Sequence, residues 1–239
     1  MPTKSELLRE KRRYGLDETV SFSELEKLNS GMPVQKIIGY IEMADVKIDL
    51  TEKVLIPRYE TEELIYWVIE DLKNKAAMNI LDLCAGSGFI GIALKKAMNH
   101  HQLTLSDIDK TAIKQALYNA KLNKVDVNII ESDLFNNLHK NSFDVIVSNP
   151  PYIKESEILS NSVLDFEPHH ALFAKNDGLE FYEKILLEAK KYLKNAVGII
   201  YFEINALDEK YWINLQEKYD LEIRKDIAGL PRMVKIAIK

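Results

Sequence analysis

From Asn79 to Glu203, short apolar runs alternate with segments of helical period, and this alternation leaves the chain few folds to choose from. The runs Asn79–Leu83, Leu103–Ser106, Val127–Ile130, Phe143–Val147 and Gly198–Glu203 have the length and apolar density of buried strands. Between them, Gly88–Met98, Thr111–Leu122 and Leu179–Leu193 carry apolar residues at helical spacing. Parallel strands must be joined by long crossovers, usually helices, so the pattern predicts a parallel sheet covered on both faces. The end of the chain departs from this rhythm. Leu221–Asp226 and Met233–Ile238 are strand-like runs joined by a turn with Gly229 and Pro231, which predicts a terminal hairpin.

The segment before Asn79 is organised differently. Ser5–Tyr14 is a charged helical stretch, Ser21 is placed to cap a second helix bearing Leu25 and Leu28, and Gly31 with Pro33 breaks the pattern. Residues 1–32 therefore read as a short helical appendage. Ile37–Ile56 looks strand-like, Val46 and Ile48 alternating with Lys47 and Asp49 before Pro57, which predicts a linking β-hairpin within residues 33–57. Thr61, followed by Glu62 and Glu63 and the apolar face Leu64, Ile65, Val68, Ile69 and Leu72, reads as the cap of an amphipathic helix opening a main domain over 58–239.

Bulk properties remove several classes of function. A chain of 239 residues with 46% hydrophobic content can bury one main core, and a formal charge of −5 lacks the basic field of a nonspecific nucleic-acid binder. Nucleic acid is not expected as a partner. The single cysteine, Cys84, permits no intrachain disulfide and points to the cytoplasm. Met1–Arg13 is too charged for a signal peptide, and no run approaches the ~18 apolar residues of a membrane span, so no membrane partner is expected. His169 and His170 are adjacent, poor geometry for chelating one ion, and no metal is expected.

The run Ile80–Leu83 opens through Cys84, Ala85, Gly86, Ser87 and Gly88 directly into a helix. Glycines there let a ligand approach the backbone at a strand's carboxyl end. A pyrophosphate is disfavoured because Asp82 begins the loop, whereas a cationic sulfonium with its amino-acid tail is compatible with that acid; this favours S-adenosylmethionine over NAD. Asp107, ending the next strand about 20 residues on, is placed to hold ribose hydroxyls. Asp109 competes for that role, or caps the following helix. After the third strand Asp133 is placed for an adenine amino group, with Leu134 or Phe135 lining the ring's face. Cys84 reads as a small packed residue rather than a nucleophile, since no partner base is identifiable.

After Phe143–Ser148 comes Asn149-Pro150-Pro151-Tyr152. Two prolines cannot continue a ladder, so the chain leaves the strand as a stiff loop. A planar NH2 nitrogen is a poor nucleophile because its lone pair is delocalised. The Asn149 side-chain oxygen and the Pro150 carbonyl could accept its two N–H bonds and orient it, with Tyr152 stacking on the planar group.

These residues resemble the HemK/PrmC family of peptide-chain-release-factor glutamine N5-methyltransferases. The resemblance covers nearly all of the chain from Pro33 onward. It rests on Pro33–Gly39, Ile56–Glu62, the cofactor loop, Asn149–Tyr152 and Phe166-Glu167-Pro168 with Ala171-Leu172. It implies a Rossmann-like class I methyltransferase fold, with a seven-stranded, mostly parallel sheet ending in an antiparallel hairpin with an antiparallel edge strand. It also implies methyl transfer from S-adenosyl-L-methionine to the glutamine of a Gly-Gly-Gln loop in class I release factors. The tetrapeptide is shared with adenine amino methyltransferases, so N6-methylation of RNA or DNA is the alternative. This chain has Cys84 and Tyr59 where family members usually have Gly and Pro, and a shorter N-terminal segment. Arg58, Glu60 and Glu167 are expected either to brace the catalytic loop or to pair at the surface, and Arg232 to be structural.

Overall fold

The computed structural model describes residues 1–239, the side chain of Leu207 excepted. Its N-terminal helices α1 (Lys4–Arg13) and α2 (Phe22–Asn29) each begin with a reciprocal capping box, Thr3 with Glu6 and Ser21 with Glu24. With α3 (Val34–Ile38) they close a small core of their own around Leu7, Leu28, Val34 and Ile37. A hairpin follows, β1 (Tyr40–Met43) and β2 (Val46–Asp49). The strand-like reading of Ile37–Ile56 is corrected at both ends. Pro33 starts and a left-handed Gly39 stops a helix too short to show its period, and residues 50–58 are irregular.

The main body runs α4 (Tyr59–Leu72), β3 (Asn79–Leu83), α5 (Phe89–Ala97), β4 (Gln102–Asp107), α6 (Lys110–Leu122), β5 (Asn128–Glu131) and β6 (Val145–Ser148). It continues with β7 (Ile153–Lys154), α7 (Asn161–Phe166), β8 (Phe173–Ala174), α8 (Glu180–Tyr192), β9 (Gly198–Glu203), α9 (Glu209–Leu215), β10 (Asp220–Lys225) and β11 (Pro231–Ile238). Seven strands form one sheet in the order β10-β11-β9-β6-β3-β4-β5. Strands β3, β4, β5, β6 and β9 are mutually parallel, and β11 is antiparallel to both of its neighbours. The expected antiparallel edge strand therefore sits one place in from the edge. The reason is burial: β11 is more apolar and takes the inner position, leaving the more polar β10 outside.

Helices α4, α5 and α6 cover one face and α8 and α9 the other, each over its own apolar layer. The hairpin belongs to the first layer, with Ile41, Met43, Val46 and Ile48 buried there. The backbone of β2 and of the segment just after it is held by a polar ladder on α6 and its C-cap: Gln115, Asn119 and Asn123 accept the N–H groups of Glu52, Asp49 and Lys47 at 2.8, 2.9 and 3.0 Å. Spaced four apart, these amides share one helix face and satisfy a strand edge that would otherwise be left unpaired.

Candidate active site

The crossovers diverge between β3 and β6, and beside them lies a cavity of about 160 Å³. This is the place where open α/β sheets bind ligands. Leu55, Leu83, Leu134, Ala171 and Phe181 supply apolar wall; Asp107, Asp133 and His170 are its ionisable groups besides Cys84, and no Lys or Arg lines it. Two larger clefts, of about 740 and 560 Å³, lie at the hairpin turn and against α1; both are open grooves away from the strand ends.

The loop after β3 divides its residues between wall and foundation. Cys84 and Gly86 face the cavity. A Cβ on Gly86 would meet nothing within 4 Å, so the space above its backbone is open to a ligand. Ala85 is tied down by its N–H to Ser106 O, Ser87 by its carbonyl to Asn119 Nδ2, and Gly88 by close packing beneath α5. Asp82 also lies beneath the loop rather than on the wall. One carboxylate oxygen accepts the Gly91 N–H at 2.7 Å, and the other has no partner among the described residues. Burial pushes this carboxyl up to about 7, with the nearby Asp107 charge adding to the effect. A ligand cation approaching the loop would stabilise its charged form.

Asp107 lines the cavity and accepts the N–H groups of Gly86 and Asp109 at 2.8 and 2.9 Å, which fixes its carboxylate against the loop. Burial raises its pKa. Asp109 caps α6 through Thr111 N and meets His170 Nε2 at 3.3 Å. Asp133 and Leu134 line the wall, and the Asp133 carboxylate is unbonded among the described residues. Phe135 is buried elsewhere, stacked on Tyr192 with ring centroids 4.5 Å apart. Burial pushes the Cys84 thiol up, far from the thiolate a nucleophile would need.

A smaller pocket of about 30 Å³ adjoins the cavity and is lined by Arg58, Pro150 and Tyr152; both spaces share Leu55, Asn149 and Ala171. Asn149 thus stands on a wall common to the two. Beneath it, Thr61 donates to the buried Glu203 Oε2 at 2.6 Å, and Asn149 Nδ2 reaches Thr61 Oγ1 at 3.5 Å. Tyr152 donates to Glu203 Oε1 at 3.2 Å while its ring borders the small pocket. Gly178 lets the chain pass under the loop, since a Cβ there would come within 2.3 Å of Tyr152 O.

Thr61 is not the cap of α4: that helix begins at Tyr59, and Thr61 is buried in its first turn. Arg58 and Glu167 form a brace rather than a surface pair. Glu167 is 1% exposed, receives Arg58 Nη2 on both oxygens at 2.8 and 2.9 Å, and accepts Ile56 N at 2.9 Å. Arg232 pairs with Asp226, a structural role, and its charge also faces Glu203. Glu203, Leu55, His170 and Phe181 are absent from the sequence-derived site because each reaches it from a distant element. Among the described residues no group of three or more His, Cys, Asp or Glu could hold a metal ion, and no helix is long and apolar enough to cross a membrane.

The methyltransferase small domain family matches residues 66–167, a span that includes the loop after β3 and the tetrapeptide. The release factor glutamine methyltransferase of Lactococcus lactis subsp. lactis is 39% identical over 217 residues, covering 88% of this chain and 79% of that protein. The one from Flavobacterium psychrophilum is 40% identical over 222 residues, covering 89% and 78%. The chain belongs to the release factor glutamine methyltransferase family. Solved structures support the fold of this family member. A Pyrococcus furiosus methyltransferase superposes with TM-score 0.60 at 18% identity over 91% of this chain and 98% of that one. A T. thermophilus 16S rRNA N2 G1207 methyltransferase, solved with AdoMet and guanosine, gives 0.61 at 16% identity over 84% and 50%.

Proposed function

We propose that this chain transfers a methyl group from S-adenosyl-L-methionine to the side-chain amide nitrogen (N5) of the glutamine in the GGQ motif of class I peptide chain release factors. The observation that carries the reading is Asn149 on the wall between a cavity lined by two acids and by no Lys or Arg and a small pocket bordered by Tyr152. The cavity chemistry fits the cofactor. Asp107 and the unbonded Asp133 carboxylate suit hydroxyl and amino donors, the apolar wall suits an adenine ring, and the half-partnered Asp82 beneath the loop favours a cation.

Bound there, S-adenosyl-L-methionine would supply an electrophilic methyl on a sulfonium: the S–CH3 bond breaks as the N–CH3 bond forms, the neutral thioether S-adenosyl-L-homocysteine leaves, and the amide nitrogen gives up one N–H proton to solvent. Asn149 Oδ1 and the Pro150 carbonyl accept the two N–H bonds of the glutamine amide, which orients its nitrogen and favours the loss of planarity that frees the lone pair. Pro150 and Pro151 stiffen the loop, so little reorganisation remains, and Tyr152 covers the flat amide.

Mass spectrometry of a purified release factor incubated with the protein and S-adenosyl-L-methionine tests this. We expect one added methyl on the Gly-Gly-Gln glutamine, and a rate lower by roughly 10²- to 10³-fold for Asn149→Ala. Methyl incorporation into RNA or DNA in place of the release factor would overturn the assignment.

A further inference from the structure

Beneath the tetrapeptide lies a buried polar chain that the reaction as described does not use. Glu203 is 1% exposed and Thr61 3%, so water has no ready access to replace their contacts. Both oxygens of Glu203 are engaged, Oε2 by the Thr61 hydroxyl at 2.6 Å and Oε1 by the Tyr152 hydroxyl at 3.2 Å, which fixes the rotation of the carboxylate.

We infer that Thr61, itself oriented by Glu203, is a positioning residue that sets which end of the Asn149 side-chain amide faces the acceptor pocket. A hydroxyl has one proton, and that of Thr61 is committed to Glu203. What Thr61 turns toward Asn149 is therefore a lone pair. Only Nδ2 can meet it, and Nδ2 does so at 3.5 Å. An amide turned the other way would set Oδ1 against that lone pair, two acceptors face to face. The contact is long, and its polarity rather than its strength does the selecting. Oδ1 is left for the acceptor's N–H, the orientation that methyl transfer to an amide nitrogen requires. An Asn presenting Nδ2 would be a donor facing a donor. Glu203 arrives from the end of β9 and Thr61 from the first turn of α4, so sheet and helix together hold the orientation.

The inference rests on the methyl-transfer reading, and its test separates the two. Thr61→Val keeps the side chain's shape and removes the hydroxyl; Thr61→Ser restores it. We expect kcat on the release factor to fall roughly 3- to 10-fold in Thr61→Val, the equivalent of one net hydrogen bond. The release-factor KM and the calorimetric Kd for S-adenosyl-L-methionine should stay unchanged, and Thr61→Ser should recover kcat. In substrate-free protein, the Asn149 side-chain NH2 resonances, assigned by their loss in Asn149→Asp, should move in Thr61→Val and return in Thr61→Ser. If Thr61→Val does not fold, Glu203→Gln serves: its NH2 can donate to Thr61, turn the Thr61 proton toward Asn149, and so move the same resonances. Unmoved resonances with unchanged kcat, or equal losses in the Val and Ser variants, would overturn the inference. A wild-type protein that leaves the release factor unmethylated would overturn the functional reading, while the resonances would still decide the role of Thr61.

Discussion

Gly86 and Gly88 occupy the same loop with similar backbone signs, yet alanine at the two positions should fail in different ways. Both have positive φ, 54° and 84°, so each substitution carries a left-handed penalty of about 1–2 kcal/mol. At Gly88 the added Cβ would also lie 2.9 Å from Ile92 Cδ1, 3.1 Å from Ala116 Cβ and 3.3 Å from Leu105 Cδ2. These atoms belong to a packed helix–sheet contact, and overpacking of this kind adds about 1–3 kcal/mol. The totals are about 2–5 kcal/mol for Gly88→Ala and about 1–2 kcal/mol for Gly86→Ala. For a chain of this size each kcal/mol moves the melting temperature by about 2–4 °C, so Gly88→Ala should melt several degrees below Gly86→Ala. Ligand binding should rank the other way. The Gly86 methyl would stand in the open space where a ligand meets the backbone, whereas Gly88 packs away from the cavity. Scanning calorimetry without ligand and titration calorimetry with S-adenosyl-L-methionine, on both variants, read the two effects. Equal melting temperatures, or wild-type affinity in Gly86→Ala, would refute the division of labour between the glycines.

Removing the carboxylate in Glu167→Ala strands the Arg58 guanidinium and the Ile56 N–H. It should cost about 2–4 kcal/mol in urea unfolding, less than for a wholly buried pair because Arg58 is partly solvated; an unchanged midpoint would show the brace to be idle. His101 is buried with Nδ1 accepting Met78 N–H and Nε2 facing Leu72 O, a neutral tautomer, and burial holds its pKa below the usual imidazole value. The unfolded chain therefore takes up the proton first as pH falls. This contribution to stability is complete above about pH 6.5 and is lost progressively below it. Unfolding midpoints compared at about pH 8 and about pH 5 should converge in His101→Gln relative to wild type, and identical pH dependence in the two proteins would dismiss His101 as a source of it.

Elements whose signal is local were legible in the sequence. β3 and β9 have the bounds read from their apolar runs, and the helices α5 and α6 lie within a residue of theirs, because burial on a parallel sheet leaves a contiguous apolar mark. Elements made by distant contacts left no such mark. The short helix α3, rich in β-branched residues, looks like a strand, and the two-residue strands β7 and β8 exist only because the tetrapeptide loop and a later turn are brought side by side. The antiparallel strand took an inner position because apolar content decides which arm of a hairpin is buried, and that competition plays out across the sheet.

The candidate site divides along the same line. The sequence by itself determined the strand-to-loop joins, the glycines, the acids ending successive strands and the Asn-Pro-Pro-Tyr turn, because each depends on neighbours a few residues away. Tertiary structure decided which of them face the cavity: Cys84, Gly86, Asp107, Asp133 and Leu134 line it, while Asp82, Ala85, Ser87 and Gly88 support it from below. It also turned Thr61 from an apparent helix cap into the partner of Glu203, 142 residues away, and brought Arg58 to Glu167 across 109 residues. A buried hydroxyl or carboxylate bonds to whatever polar atom folding carries to it, and over such separations no periodicity in the chain encodes the partner.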